Sequence, residues 1–323
     1  MDIIAAPFST AMDQLPAMWF KNLVVYRFPE IPEITPESLE ASLQGHEFQP
    51  CPRHQPASLG WTAPLGRSGQ QLVHTTDGRM MICLRREERV LPAASVRERL
   101  EEKLAAIEEA EGRKVRGKEK MRLKEEITLD MLPQAFTRSG VTFAYIDPKQ
   151  RWLIVDSTTA SKAEELVGKL RETLGSLPVR PIQVNHAPAD IMTQWLNNGR
   201  AGDDFELGED CVLQDPASDG ATVRMRRQSL SSDEIPVHLN AGKRVNQLAV
   251  NFLDRISLVI DESLGLKRMK FLDLVLDQAE AADMEGAGAE DAAQRFDTEF
   301  ALMGAEINHL LERTLATFGG DPD

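Results

Sequence analysis

Apolar positions along the chain switch between a period of two and a helical period. Trp19 to Phe28 is rich in aromatic and β-branched residues and too apolar to stay exposed, which predicts a strand. Thr35-Pro36-Glu37 then reads as a helix start, with a capping hydroxyl, a proline suited to the first turn and an acid at the positive helix end. Gly45 is its expected stop. Short strands are expected near Gln71–His74 and Arg79–Leu84, divided by an Asp77-Gly78 turn. From Ser95, which forms a capping-box pattern with Glu98, the period lengthens and Val96, Leu100, Leu104 and Ile107 share one face. Gly112 and Gly117 bracket Arg113, Lys114 and Arg116, and Leu123, Ile127 and Met131 mark a second helix. The pattern predicts a charged helical hairpin that projects from a body or packs on a partner, ending at Leu132-Pro133-Gln134-Ala135-Phe136.

Val141 to Asp156 reads as a β-hairpin around Asp147–Gln150. A helix over Ser161–Leu174, a strand over Val179–Val184 and a helix over Ala187–Asn198 follow. Val223 and Met225 alternate with Arg224 and Arg226, a strand with a cationic outer face. Ser231 and Glu234 form a second capping-box pattern, limited by Pro236 and closed by Gly242. Leu248, Val250 and Phe252 alternate, as do Ile256, Leu258 and Ile260; Asp261–Gly265 turns the chain and Leu266–Phe271 returns. Two helices complete the pattern around Gly286–Gly288, the second with Phe296, Phe300, Met303, Ile307 and Leu311 on one stripe. Strands and helices without a regular βαβ repeat predict an α+β fold. The expected organisation is a first α/β part (18–91 with 139–186), the helical hairpin (92–138), and a second α/β part with an antiparallel sheet and C-terminal helices (187–323). Residues 1–17 are read as an N-terminal extension.

Composition refines this little: 323 residues, 42% hydrophobic and 27% charged, are ordinary for a soluble globular protein. No apolar run approaches the roughly 20 residues of a membrane span. The first 17 residues hold Asp2 and Asp13 and no Lys or Arg, unlike a secretory signal. Cys51, Cys83 and Cys211 are sparse and odd in number, which fits a reducing cytoplasm rather than a disulfide framework. Charge changes the picture more. The net charge is −14, but Phe271 to Asp323 holds 13 acids against Arg295 and Arg313, leaving −3 for the other 270 residues. Binding follows local potential rather than the total, so a basic stripe remains compatible with an acidic chain.

The motifs for phosphate-binding loops, zinc proteases and serine hydrolases are missing. His46, His54, His74, His186, His238 and His309 are scattered. Asp254, Asp261 and Glu262 have metal-ligand chemistry, yet turn acids are the plainer reading. The expectation is therefore no catalytic residue, no metal and no cofactor. The positive signal is cationic: residues 222–244 hold Arg224, Arg226, Arg227, Lys243 and Arg244 against two acids, and Lys267, Arg268 and Lys270 lie on the returning strand. As neighbours in a sheet they would contact phosphates without reading bases; the alternative is a solvated sheet face. Gln228 shares the parity of Arg224 and Arg226, whereas Arg227 points opposite unless the strand ends or bulges. Helix-turn-helix and zinc-finger signatures are lacking, and no Trp or Tyr lies within 222–244 for base stacking, so duplex binding without sequence preference is the better expectation. Local sequence reads Phe136 as a core residue closing the hairpin.

Several short segments, in this order and spacing, resemble the recombination-associated protein RdgC family. They are Met18-Trp19-Phe20-Lys21-Asn22-Leu23, Gly60-Trp61, Leu132-Pro133-Gln134-Ala135-Phe136, Leu174-Gly175-Ser176-Leu177-Pro178, Ala241-Gly242-Lys243, Leu266-Lys267-Arg268 with Lys270-Phe271, and Ala293-Gln294-Arg295-Phe296-Asp297. The resemblance implies crescent-shaped subunits closing as a ring homodimer with a positive hole. It implies binding to double-stranded DNA and restraint of RecA-promoted strand exchange in recombination and replication fork repair. It places the protein in the cytoplasm on the nucleoid, with no membrane or small-molecule partner. Arg227, Gln228 and Lys243 match family DNA-binding positions, and Arg113 and Phe136 match a gate between subunits, which moves Phe136 from core to interface. The competing readings are a metal-dependent nuclease acting on recombination intermediates and a module that binds RecA alone.

Overall fold

The computed structural model describes residues 19–66, 69–217, 220–232, 234–285 and 292–322. The expected N-terminal extension and the Gly286–Gly288 break lie outside the described residues. The chain forms two compact units, one within residues 1–42, 63–82 and 143–323, the other within 43–62 and 83–142.

The larger unit is built on an antiparallel sheet. Its first strand, β1 (Leu23–Arg27), precedes α1 (Pro36–Gln44), where Thr35 Oγ1 accepts from the Ser38 amide at 3.2 Å as the sequence leads one to expect. After β2 (Ala57–Thr62) of the smaller unit come β3 (Val73–Thr76) and β4 (Arg79–Val90), which pair across the Asp77-Gly78 turn. The hairpin helices α2 (Ala93–Glu111) and α3 (Gly117–Met131) follow. Then come β5 (Phe136–Asp147), β6 (Trp152–Asp156), α4 (Ala160–Leu174), β7 (Arg180–Pro181) and α5 (Pro188–Asn198). The remainder is β8 (Phe205–Gln214), β9 (Thr222–Met225), α6 (Glu234–Asn240), β10 (Arg244–Phe252), β11 (Ile256–Asp261), β12 (Leu266–Phe271), α7 (Asp273–Glu285) and α8 (Ala292–Thr317). Within the larger unit the strand order is β5-β6-β1-β12-β11-β10-β8-β9. The fold class is α+β.

Burial explains which sheet face is free. Leu248, Val250 and Phe252 of β10 and Ile256, Leu258 and Ile260 of β11 face one core. Met192, Trp195 and Leu196 of α5 join it, as do Phe296, Phe300, Met303, Ile307 and Leu311 of α8. The four-residue spacing of that α8 stripe delivers one continuous apolar face, and removing it from water drives the packing. On the opposite face α4 buries Ala163, Leu166, Val167 and Leu170, and Tyr26 of β1 donates to Glu164 Oε1 at 2.7 Å. The strands from β12 to β9 are more polar on that second face.

In the smaller unit β2 pairs with the distal half of β4, from Ala57 opposite Glu88 to Thr62 opposite Cys83. A Cβ on Gly60 would lie 2.4 Å from Phe48 Cα, so only glycine admits that strand approach. Val96, Leu100 and Ile127 form the hairpin's own core with Leu104, Leu123 and Met131 against it, the stripe the sequence predicts.

Local expectations fail where proline or tertiary pairing overrides them. The Ser95–Glu98 capping box does not form: α2 starts at Ala93, and the carbonyl of Pro92 accepts from Ser95 and Val96. At the second such pattern α6 starts at Glu234 rather than after Ser231, with Pro236 in its first turn, and runs only seven residues. The strand expected over Val179–Val184 shrinks to Arg180–Pro181. Strand β8 was not anticipated at all.

Candidate nucleic-acid interface

Antiparallel register places side chains directly opposite one another on a common face. Lys270 stands opposite Ser257, which stands opposite Asn251, which stands opposite Glu206. Lys267 opposes Val259, and Val259 opposes Ala249. Asp261, Gln247, Val212 and Arg224 make a third row. These rows occupy the face away from the α5–α8 core. Arg224, Arg268 and Lys270 are exposed there and Lys267 is half-buried.

Arg224, Arg226 and Arg268 line one concavity of about 340 Å³, together with Asp210, Val212, Gln247 and Val259. The route of the chain differs from simple alternation. Strand β9 ends at Met225, so Arg226 extends from the strand end, and Arg227 takes a left-handed φ of 52°. The Arg227 amide donates to Asp210 Oδ1 at 3.0 Å and the Gln228 amide to the Glu209 carbonyl at 3.2 Å. Gln228 does not continue the Arg224 row: its Nε2 donates to Ser232 Oγ and Glu234 Oε2, at 3.3 and 3.2 Å, tying the loop to α6. Arg268 sits at a bulge in β12 with φ 53°; its amide donates to Asn22 Oδ1 and its Nη1 to Asp210 Oδ2 at 3.1 Å.

Two expected cations lie apart from these rows. Arg244 opens β10 opposite Gln214 and pairs with Asp190 of α5, a helix of the covered face. Lys243 precedes it, half-buried after Gly242, its amide bonded to the His238 carbonyl at 3.2 Å. Lys267 Nζ lies 2.7 Å from Asp261 Oδ2. Burial alone would raise the Asp261 carboxyl, but Lys267, the Ser263 hydroxyl and the Gly265 amide hold it below its ordinary value. Its oxygens thus serve the turn and Lys267. Among the described residues no group of three or more His, Cys, Asp or Glu is arranged to hold a metal ion. The three cysteines are free and buried, and burial pushes the Cys83 thiol up to about 12 and the Cys211 thiol up to about 11. Among the described residues no helix is long and apolar enough to cross a membrane.

In the smaller unit, Arg113 is held in the α2–α3 turn by Glu111 at 2.6 Å and by both oxygens of Glu119 at 2.7 and 2.8 Å. Phe136 is 87% exposed at the start of β5, which overturns the core reading from local sequence. Leu132, 3% exposed in the single turn of 3-10 helix before it, is the buried side chain of that segment instead. Sequence reasoning missed Asp210, Gln247 and Asn22. Asp210 and Gln247 sit in no motif, Asn22 lies in a family segment that names no role for it, and Asp210 reaches its arginines 17 and 58 residues away.

Similarity to known proteins extends over nearly the whole chain. The Recombination-associated protein RdgC of Psychromonas ingrahamii is 43% identical over 304 residues, covering 94% of this chain and 99% of its own. That of Halorhodospira halophila is 40% identical with the same coverage, and that of Pseudomonas aeruginosa PAO1 is 42% identical over 305 residues, 98% of its length. A family described as "Putative exonuclease, RdgC" matches residues 18–321, and the chain belongs to this RdgC family.

Proposed function

We propose that this protein binds double-stranded DNA without sequence preference, as a ring-shaped homodimer of crescent subunits, and thereby limits RecA-promoted strand exchange in recombination and replication fork repair. The observation that carries the reading is the open sheet face on which Arg224, Arg226, Arg268 and Lys270 gather from separate strands, with Arg227 at its rim. Long cationic side chains there displace condensed counterions from a duplex, giving affinity through the backbone. Protein on the duplex obstructs a recombination filament by occupancy, a restraint that needs no bond chemistry. Lys243 and Arg244 belong to the same proposal as peripheral phosphate contacts, Arg244 after release from Asp190. Arg113 and Phe136 belong to it as contacts between subunits. The protein would act in the cytoplasm, on the nucleoid.

The description "putative exonuclease" favours a second reading, a metal-dependent nuclease. One experiment divides the two. Labelled duplexes of unrelated sequence are incubated with the protein, with and without magnesium or manganese. We expect a mobility shift on every duplex and intact strands. With four or five phosphates neutralised, affinity should fall roughly a hundredfold to a thousandfold between about 50 and 200 mM salt. Shortened strands would establish the nuclease; the absence of any shift would leave a module that binds RecA alone.

A further inference from the structure

We propose that Asp210, an acid on the cationic face, is a positioning residue that preorganises Arg227 and Arg268 to receive a backbone phosphate; this rests on the duplex-binding reading above. Three observations converge on it. Its two oxygens serve two segments at once, Oδ1 taking the Arg227 amide at 3.0 Å and Oδ2 the Arg268 guanidinium at 3.1 Å. Both arginines adopt left-handed φ values, 52° and 53°, which non-glycine residues enter only when neighbouring structure holds them there. The adjacent Glu209 carbonyl takes the Gln228 amide, so β8 fixes the loop that follows β9 through consecutive residues.

The consequence is geometric. Arg268 is 55% exposed at its side chain and would otherwise sweep through many rotamers. Asp210 keeps its guanidinium beside Arg224 and Arg226 in the 340 Å³ concavity. The same carboxylate stops the Arg227 backbone from relaxing out of the left-handed region. A phosphate entering this concavity meets guanidinium groups already gathered, and the ordering cost of the Arg268 side chain has been met during folding. Asp210 also repels that phosphate, but its half-buried carboxylate is paired with the Arg268 guanidinium at 3.1 Å, which offsets its charge, and salt screens what remains at the solvent-facing side. Preorganisation therefore outweighs repulsion at physiological ionic strength.

The test is counterintuitive for simple electrostatics. Asp210→Ala makes the face one charge more positive, yet should weaken binding to a labelled duplex about fivefold to tenfold at about 0.15 M salt. Asp210→Asn retains an oxygen for the Arg227 amide and loses the ionic hold on Arg268, so it should fall between the wild type and Asp210→Ala. Arg268→Ala should weaken binding too, and the double variant Asp210→Ala with Arg268→Ala should lose less than the two single losses combined. Thermal melting of each variant close to the wild type would exclude general unfolding as the cause. Equal or tighter binding by Asp210→Ala, or full additivity with Arg268→Ala, would overturn the proposal. A wild-type protein that shifts no duplex would instead defeat the underlying DNA reading, a separate and recognisable outcome.

Discussion

Single carboxylates set much of the behaviour of the polar sheet face. Asp261 accepts from the Ser263 amide at 2.9 Å, the Ser263 hydroxyl at 2.7 Å and the Gly265 amide at 2.8 Å, while Lys267 lies against its second oxygen. These partners keep the folded carboxyl below its ordinary value of 3.8 against the opposing effect of burial. A depressed acid stabilises the fold above its unfolded value, and that contribution is lost as pH falls through the folded value. Asp261→Asn should therefore unfold at lower urea than the wild type at about pH 6, with the gap closing by about pH 2. A gap independent of pH would mean that the Asp261 charge is not what locks the turn. A second buried acid, Asp147 at 4% exposure, accepts from Arg79 Nε at 3.1 Å and from Asn308 Nδ2 at 2.8 Å, joining β4 and β5 to α8.

At the scale of elements, the sequence was most legible where one apolar period ran uninterrupted. The α8 stripe, the alternating β10 and β11 and the hairpin positions Val96, Leu100 and Ile127 are of this kind, because burial there depends on spacing alone. Strand β8 was illegible because Glu206, Gly208, Glu209 and Asp210 interrupt its alternation; it exists because β10 and β9 pair on either side of it. A Cβ at Gly208 would stand 2.9 Å from Ala249 Cβ, so its weakest strand former is also what permits the close approach to β10. The cationic site was legible as a list of residues and not as an arrangement, since the left-handed turn at Arg227 and the bulge at Arg268 arise from tertiary partners. The hairpin gives a quantitative test. Ile127 is 6% exposed in a small core that it shares, among the described residues, with the buried Val96 and Leu100. Ile127→Ala should cost about 2–4 kcal/mol locally. Amide hydrogen exchange should accelerate across 93–131 while β10 and β11 keep their protection. Equal acceleration in both units would show that the hairpin does not unfold as a unit of its own.

For the whole molecule, the decisive question is whether two copies enclose the duplex, and Phe136 permits a clean answer. At 87% exposure it contributes almost nothing to the packing of its own chain, so Phe136→Ala should change stability by less than about 0.5 kcal/mol. An aromatic anchor between subunits behaves differently: its truncation costs about 2 kcal/mol or more of association energy. In the proposed ring the consequence is topological, because loss of this contact would open the ring without removing the cations proposed to hold DNA. Complexes assembled on covalently closed circular DNA should then resist a later rise in salt for the wild type, and dissociate readily for Phe136→Ala. Both proteins should bind a short linear duplex alike at low salt, since the sheet face is untouched. Sedimentation should show Phe136→Ala dissociating at protein concentrations where the wild type stays dimeric. If both proteins sediment alike and leave circular DNA at the same salt, the exposed phenylalanine has no part in closure, and the proposed inhibition would rest on occupancy of the duplex rather than on enclosing it.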